Sequence, residues 1–360
     1  MRAIIVIPCL DEEAGLGATC ASLGFMPGRP APAATDLILV DNGSMDGTPA
    51  VMASIRHRFP DNVFVVREPE RGYVPPRHRG VLAAQEIAER HRIEASDVLV
   101  LQADADTIYG QDYVTAMHDA AICSGVLVEG VAQTDLAFAA ANPGYFRLAR
   151  YADSAVEAFF ANETDEVVID DKVAAYRLTD YFAWGGHRRE YDRHGDEIHA
   201  ETSRLFLRAR MHGARRVRAG SAVAFPSRRK LEIDPLLYFA TQGFPREAQW
   251  RARWREQCGS PLSLRDFDDP AAPETLKRAI FLRRAHGLIF FAVMPEHVAR
   301  LCDQPGVPMI RPPAFQALMS LVSAISTDDL RAVPGRLFEI CFALLESHPE
   351  LFEACFGDPT

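Results

Sequence analysis

Val98-Leu99-Val100-Leu101-Gln102-Ala103-Asp104-Ala105-Asp106 decides the reading of this chain. Four consecutive apolar residues predict a buried strand, and that strand empties onto two aspartates one residue apart. Carboxylates so placed are hard oxygen ligands at the rim of a sheet, suited to Mg²⁺ or Mn²⁺ carrying a diphosphate. Alone, an Asp-x-Asp pair solvates many turns. Its weight here comes from what precedes it.

Working outward, the first half of the chain alternates short β-branched runs with longer amphipathic stretches. Strands are expected at Ala3–Ile7, Leu37–Val40, Val63–Val66, Val98–Leu101 and Val126–Val131, and helices at Glu12–Leu23, Thr48–Phe59, Pro76–His91 and Gln111–Cys123. This spacing predicts βαβ units, hence an α/β fold with a three-layer, mainly parallel sheet. Ligands of such sheets bind beyond the carboxyl ends of the strands. Residues 145–180 read as helical and irregular, with the acidic run Glu163–Asp171 on a surface. The Pro- and Asp-rich stretch Leu262–Thr275 reads as a linker. Beyond it, 276–302, 313–326 and 334–356 carry helical periodicity, so an α-helical C-terminal extension is expected.

The 360 residues suffice for one large core or two moderate ones. A formal net charge of −10 argues against a general nucleic-acid binder. Yet between Glu201 and Glu232 no acid occurs, while Arg204, Arg208, Arg210, Arg215, Arg216, Arg218, Arg228, Arg229 and Lys230 do. Such a field suits an anionic ligand, or is a solvated face whose acids lie elsewhere in space. Seven scattered cysteines without CxxC spacing suggest reduced thiols rather than a disulfide framework or zinc site. The opening Met1–Pro8 lacks a signal-peptide pattern and the apolar run Gly287–Met294 is too short to span a bilayer, so a cytoplasmic protein without a transmembrane segment is expected.

Two more strand tips carry acids. The first expected strand runs into Pro8-Cys9-Leu10-Asp11-Glu12-Glu13, the second into Val40-Asp41-Asn42-Gly43-Ser44-Met45-Asp46-Gly47-Thr48. A carboxylate there suits a nucleobase N–H or a ribose hydroxyl, and Gly43 and Gly47 allow close backbone approach. Asp11 and Asp46 read equally well as helix caps. Asp41 is harder to dismiss, because an acid closing an apolar strand seldom helps stability.

Taken in order, IVIPCLDEE, LILVDNGSMDGT and VLQADADT resemble the nucleotide-sugar half of a family 2 glycosyltransferase of GT-A fold. Arg71-Gly72-Tyr73-Val74-Pro75-Pro76-Arg77-His78-Arg79-Gly80 resembles a fourth motif of that family. Trp184-Gly185-Gly186-His187 resembles its glycine pair before the acceptor loop, and His199–Arg208 the helix that supplies its catalytic base. The resemblance implies a GT-A domain over 1–261, with a nucleotide-sugar half at 1–125, an acceptor half at 126–261, and the helical region at 276–360. It implies that Pro8, Leu10, Glu12, Asp41, Gly43, Arg77, Asp104 and Gly186 line the donor site. Asp106 and Asp104 would hold the metal, with His187 or His199 as a third ligand. Glu201 is the first choice for the base, with Asp196 and Glu197 in reserve; Thr202 stands where the family has Asp, and Thr is no base at neutral pH.

The activity implied is metal-dependent, inverting, hexosyltransferase-like transfer from a nucleotide-diphosphate sugar, most simply a UDP-sugar, to an acceptor hydroxyl. The basic segment suggests an anionic acceptor, and the C-terminal helices suit dimerisation, acceptor binding or membrane-surface docking equally. Two alternatives stand beside it. A nucleotidyltransferase on a related fold would want a basic phosphate loop where Asp11-Glu12-Glu13 stands; a non-catalytic nucleotide-sugar-binding protein is suggested by Thr202. The near match to a processive synthase motif at Gln249–Trp254 has the wrong spacing, so processive polymerisation is not expected.

Overall fold

The expected apolar runs become the strands of one sheet. The computed structural model describes residues 1–244, 252, 254, 262–303 and 311–356; the Gln249–Trp254 segment lies outside these, save Ala252 and Trp254, as does Cys258. The strands are β1 (Arg2–Cys9), β2 (Thr35–Asp41), β3 (Val63–Arg67), β4 (Val98–Gln102), β5 (Ile108–Tyr109), β6 (Val126–Ala132), β7 (Ala174–Arg177) and β8 (Arg215–Phe225). They lie side by side in the order β3-β2-β1-β4-β7-β6-β8-β5. The first four pair in parallel, with Ile5 opposite both Leu37 and Leu101. β7 is antiparallel to β4 and β6, while β6 and β8 run parallel. The sheet is thus mixed but mainly parallel, as the alternation predicts.

Alternation along each strand builds two cores. Ile5, Ile7, Leu37, Leu39, Leu99 and Leu101 face one side, against Leu16, Met52, Ile55 and Met117. These four residues come from α1 (Leu16–Ser22), α2 (Thr48–Arg58) and α4 (Tyr113–Ala120). Ile4, Val6, Ile38, Val40 and Val100 face the other side with Val81, Ala84 and Ile87 of α3 (Val74–His91), joined by Leu205 and Phe206 of the Glu201–Arg210 helix. Both faces are therefore covered, which is the three-layer arrangement. α3 sits close: a Cβ on Gly80 would fall 2.1 Å from Val6 Cγ1. The glycine lets this helix, and Arg77 one turn earlier, seat against β1.

Two compact units result. The first, Met1–Gln133 with Ile169–Arg189 and Ala200–Ser227, holds the whole sheet. The second comprises Thr134–Val168, Glu190–His199 and Arg228–Thr360. Its described residues are mainly helical, with an isolated bridge between Tyr191 and Glu197. The expected C-terminal helices are present but subdivided: Lys277–Leu288, Ile289–Val293 (one π-helical stretch), Met294–Leu301, Pro313–Val322, Thr327–Ala332, Gly335–Ser347 and Pro349–Phe356.

The expected linker is corrected. Residues 262–275 contain short helical turns at Leu264–Asp268 and Ala272–Thr275, and Phe267 is buried against Tyr145 and Phe239. Its aromatic ring outweighs the Pro/Asp composition around it. Among the described residues no helix is long and apolar enough to cross a membrane.

Candidate functional site

Arg77 organises the site. It is carried on the first turn of α3 and is only 7% exposed. Its Nε donates to Glu201 Oε1 at 2.8 Å, its Nη1 to Gln102 Oε1 at 3.2 Å, and its Nη2 to Asp104 Oδ1 at 2.9 Å and Asp171 Oδ2 at 3.4 Å. The parallel register explains the meeting: the ends of β1 and β4 lie together, so the carboxyl end of β4 presents Gln102 and Asp104 to the start of α3. Burial disfavours the guanidinium's charge, but Asp104, Asp171 and Glu201 outweigh it and hold its pKa above the ordinary value. One buried cation thus carries three carboxylates.

Thr202 does not replace the missing acid. Its hydroxyl donates to Gln102 Oε1 at 3.2 Å, leaving that amide oxygen shared with Arg77, while the buried Gln102 Nε2 has no hydrogen-bond partner. Asp171 is the residue that reading the sequence missed. The acidic run was expected on a surface, and Glu163 is indeed exposed, but its last member turns in toward Arg77. Partial burial, then the charge of Glu201, push the Asp171 carboxyl above its usual range, against the pull of Arg77.

The turn bearing Asp171 is anchored twice. Asp170 N–H donates to Glu129 Oε1 at 2.7 Å. The Tyr109 hydroxyl accepts the Asp104 N–H at 3.0 Å and donates to the Lys172 carbonyl at 2.9 Å, joining the end of β4 to this turn. Lys172 Nζ closes on Asp170 Oδ1. Removing the tyrosine hydroxyl strands two backbone groups at a buried position. Tyr109→Phe is therefore expected to cost about 1–3 kcal/mol, read as a lowered denaturation midpoint; an unchanged midpoint would refute the bridge.

The strand tips of β1 and β2 form a second cluster. Asp11, at φ +55°, accepts the Met45 N–H at 2.7 Å, and its own N–H donates to Ser44 Oγ. Glu12 N–H donates to Thr48 Oγ1 at 2.8 Å, and Glu13 Oε2 accepts the Gly47 N–H. Asp46 caps the start of α2 through the Thr48 N–H, but Asp11 ties the two loops together instead of capping α1. Asp41 Oδ1 accepts the Ser44 N–H at 2.9 Å, and the Gly43 carbonyl, in a left-handed turn, accepts from Arg71. Pro8 is half-buried beside them and Leu10 is exposed.

The remaining predicted residues fall elsewhere. Gly186, at φ +66°, closes a turn over the Tyr181 ring, and its carbonyl accepts from Arg208. His187 is buried; its Nδ1 and the His78 Nδ1 lie 3.2 and 2.7 Å from the Tyr181 hydroxyl, and its Nε2 has no partner. Burial, then Arg77, push its pKa far below the usual histidine value, so it stays neutral. Asp106 lies half-buried, four residues beyond the carboxyl end of β4. Asp196, Glu197 and His199 belong to the 190–199 segment of the second unit, where the Asp196 N–H donates to Asp192 Oδ1. The basic segment is divided as well: Arg204, Arg208, Arg210 and Arg216 are buried, while Arg215 and Arg218 are exposed.

Among the described residues no group of three or more His, Cys, Asp or Glu side chains is arranged as a metal cage. Asp104 and Asp106 nevertheless fit a hard divalent ion that takes the rest of its shell from phosphate oxygens and water, the usual manner of Mg²⁺.

Residues 4–121 match the family model for glycosyl transferase family 2. Uncharacterized glycosyltransferases of Mycobacterium tuberculosis and Mycobacterium bovis are 37% identical over 116 residues, 31% of this chain. The match spans 46% of those relatives' own length. Among solved structures, the mannosyltransferase PcManGT from Pyrobaculum calidifontis in complex with GDP-Man and Mn²⁺ is similar at a TM-score of 0.48 and 17% identity, over 97% of this chain and 88% of that one. S. aureus TarS in complex with UDP-GlcNAc is similar at 0.44 and 12%, over 96% and 92%. The motifs and the family match agree over residues 4–121, where the chain is similar to family 2 glycosyl transferases.

Proposed function

We propose that the chain is a glycosyltransferase that moves a sugar from a nucleotide-diphosphate donor, most simply a UDP-sugar, to an acceptor hydroxyl with inversion. The observation that carries this is the convergence of Asp104, Arg77, Asp171 and Glu201 at the carboxyl end of β4, within and beside the segment that matches the family. The β1–β2 loop clamp, with Asp41 and Gly43, suits the nucleoside, and Pro8, Leu10 and Glu12 border it. Asp106 and Asp104 would hold Mn²⁺ or Mg²⁺, which when bound supplies positive charge to the diphosphate leaving group. Arg77 orders the carboxylates around the transfer site, and a carboxylate takes the acceptor's proton. His187, buried and neutral on Tyr181, orders the Gly185–Gly186 turn.

Thermal shift tests the donor site, since a ligand that binds only the folded protein raises its melting temperature. UDP, GDP, CDP, ADP and dTDP are each added with Mn²⁺, Mg²⁺ or EDTA. One nucleotide is expected to raise the melting temperature in a metal-dependent way, by about 2.7 kcal/mol of stabilisation at a hundredfold excess over Kd, and Asp106→Ala is expected to abolish the metal dependence. Stabilisation by none of them would sink the reading. Binding without any sugar release or transfer would favour the non-catalytic alternative that Thr202 suggests.

A further inference from the structure

We propose that Asp171, rather than Glu201, is the carboxylate that takes the acceptor hydroxyl's proton, while Glu201 acts as a positioning residue that fixes Arg77. The inference rests on the glycosyl-transfer reading above and completes it at the point where Thr202 leaves a gap.

Three observations carry it. Glu201 is sealed: its side chain is 3% exposed, it opens a helix whose residues are all buried, and it holds Arg77 Nε at 2.8 Å. To serve as base it would have to leave a buried cation and open its surroundings to an acceptor. Thr202 has its hydroxyl on Gln102 and no charge to offer. Asp171 is the accessible acid of the cluster on the acceptor half of the sequence. Its side chain is 27% exposed, its 3.4 Å contact is the longest of the four that Arg77 makes, and its backbone is held by the Glu129 and Tyr109 anchors. A base needs this combination of a fixed backbone and a carboxylate open to the incoming hydroxyl.

The step balances without any further reactant. The acceptor O–H bond breaks and its proton passes to a carboxylate oxygen of Asp171. The electron pair left on the acceptor oxygen forms the new bond to the anomeric carbon. The bond from that carbon to the diphosphate oxygen breaks, and its pair leaves with the nucleoside diphosphate. Asp171 then returns the proton to water.

The test uses the full chain with water as the acceptor, so no acceptor has to be known. UDP-glucose, UDP-N-acetylglucosamine, GDP-mannose and dTDP-glucose are supplied with Mn²⁺, and nucleotide release, donor affinity and melting temperature are measured. The proteins compared are the wild type, Asp171→Asn, Asp171→Glu and Glu201→Gln. Asp171→Asn is expected to bind the donor within about threefold of wild type and to release nucleotide about 10²–10⁴-fold more slowly. It should melt no lower than wild type, because the charge removed stands among the like charges of Glu201 and Asp104; a merely structural residue would lower the melting temperature instead. Asp171→Glu should recover part of the rate. Glu201→Gln should lower melting temperature and donor affinity, with less effect on the rate of the bound complex. Release by Asp171→Asn within tenfold of wild type would overturn the inference and leave the parent reading standing. Donor binding without release by the wild type would overturn both, and binding of no donor by any of the proteins would remove the parent reading itself.

Discussion

Arg77→Ala is expected to destabilise the first unit by about 3–5 kcal/mol, the cost of removing one partner from a buried ion cluster. The reason is the imbalance it creates. Asp104, Asp171 and Glu201 all face this one guanidinium, and Glu201 is sealed from water. The replacement supplies neither charge nor hydrogen bonds, and Gln102 loses a donor at the same time. The deficit should depend on pH in a defined direction. The Asp171 carboxyl is already above its usual range, and without Arg77 it would rise further. A carboxyl raised in the folded state contributes stability below its unfolded pKa and loses it as pH rises through the folded value. The gap between wild type and variant should therefore be widest at pH 7–8 and narrow toward pH 4. Urea titrations across that range check it, and a gap that widens in acid would refute the account. Arg77→Lys should rescue little, since one ammonium cannot hold three separate carboxylates in the guanidinium's planar geometry.

How much of this was legible beforehand follows from where each residue's partners lie. β1 to β4 and β6 were visible because their apolar runs report local burial, and the structure extends them by only a residue or two at their ends. α1 begins at Leu16 rather than Glu12, and the Glu12 and Glu13 N–H groups donate to side chains of the Asp46–Thr48 loop, a partner that lies more than thirty residues away in the chain. β8 was invisible: Arg215–Phe225 opens on arginines, and its strand character comes from pairing with β6. Its second arginine is not surface charge at all, since Arg216 is buried against Glu129.

The site divides in the same way. Arg77, Asp104 and Glu201 were reached through the motifs they occupy. Asp171 sits in no motif, and its partner Arg77 is 94 residues away. An acidic run looks solvated when read along the chain, and only folding shows that its last residue turns inward. Tyr109 and Gln102 were silent for a similar reason. A single hydroxyl or amide carries no sequence signal for the backbone it will meet.

Glu129→Ala should match Arg77→Ala in stability cost, about 3–5 kcal/mol, although Glu129 is itself a poor source of net stability. Burial pushes its carboxyl above the usual range even though Arg216 pulls it back, so folding gains little from the pair. Breaking it is another matter. Glu129 Oε2 accepts Arg216 Nε at 2.6 Å and Nη2 at 2.5 Å, while Oε1 accepts the Asp170 N–H. The alanine leaves the buried cation without this carboxylate and the Asp170 N–H without its acceptor. Pairing Glu129→Leu with Arg216→Met separates the two effects. Replacing a buried ion pair by apolar residues of similar size is often neutral or stabilising, so the double variant should regain most of the lost stability. It should not regain nucleotide release, because nothing then holds the Asp170 N–H and the turn carrying Asp171 loses one of its two anchors. A double variant as unstable as Glu129→Ala would refute the ion-pair account, and one that is stable and fully active would show that the Glu129 anchor does not position Asp171.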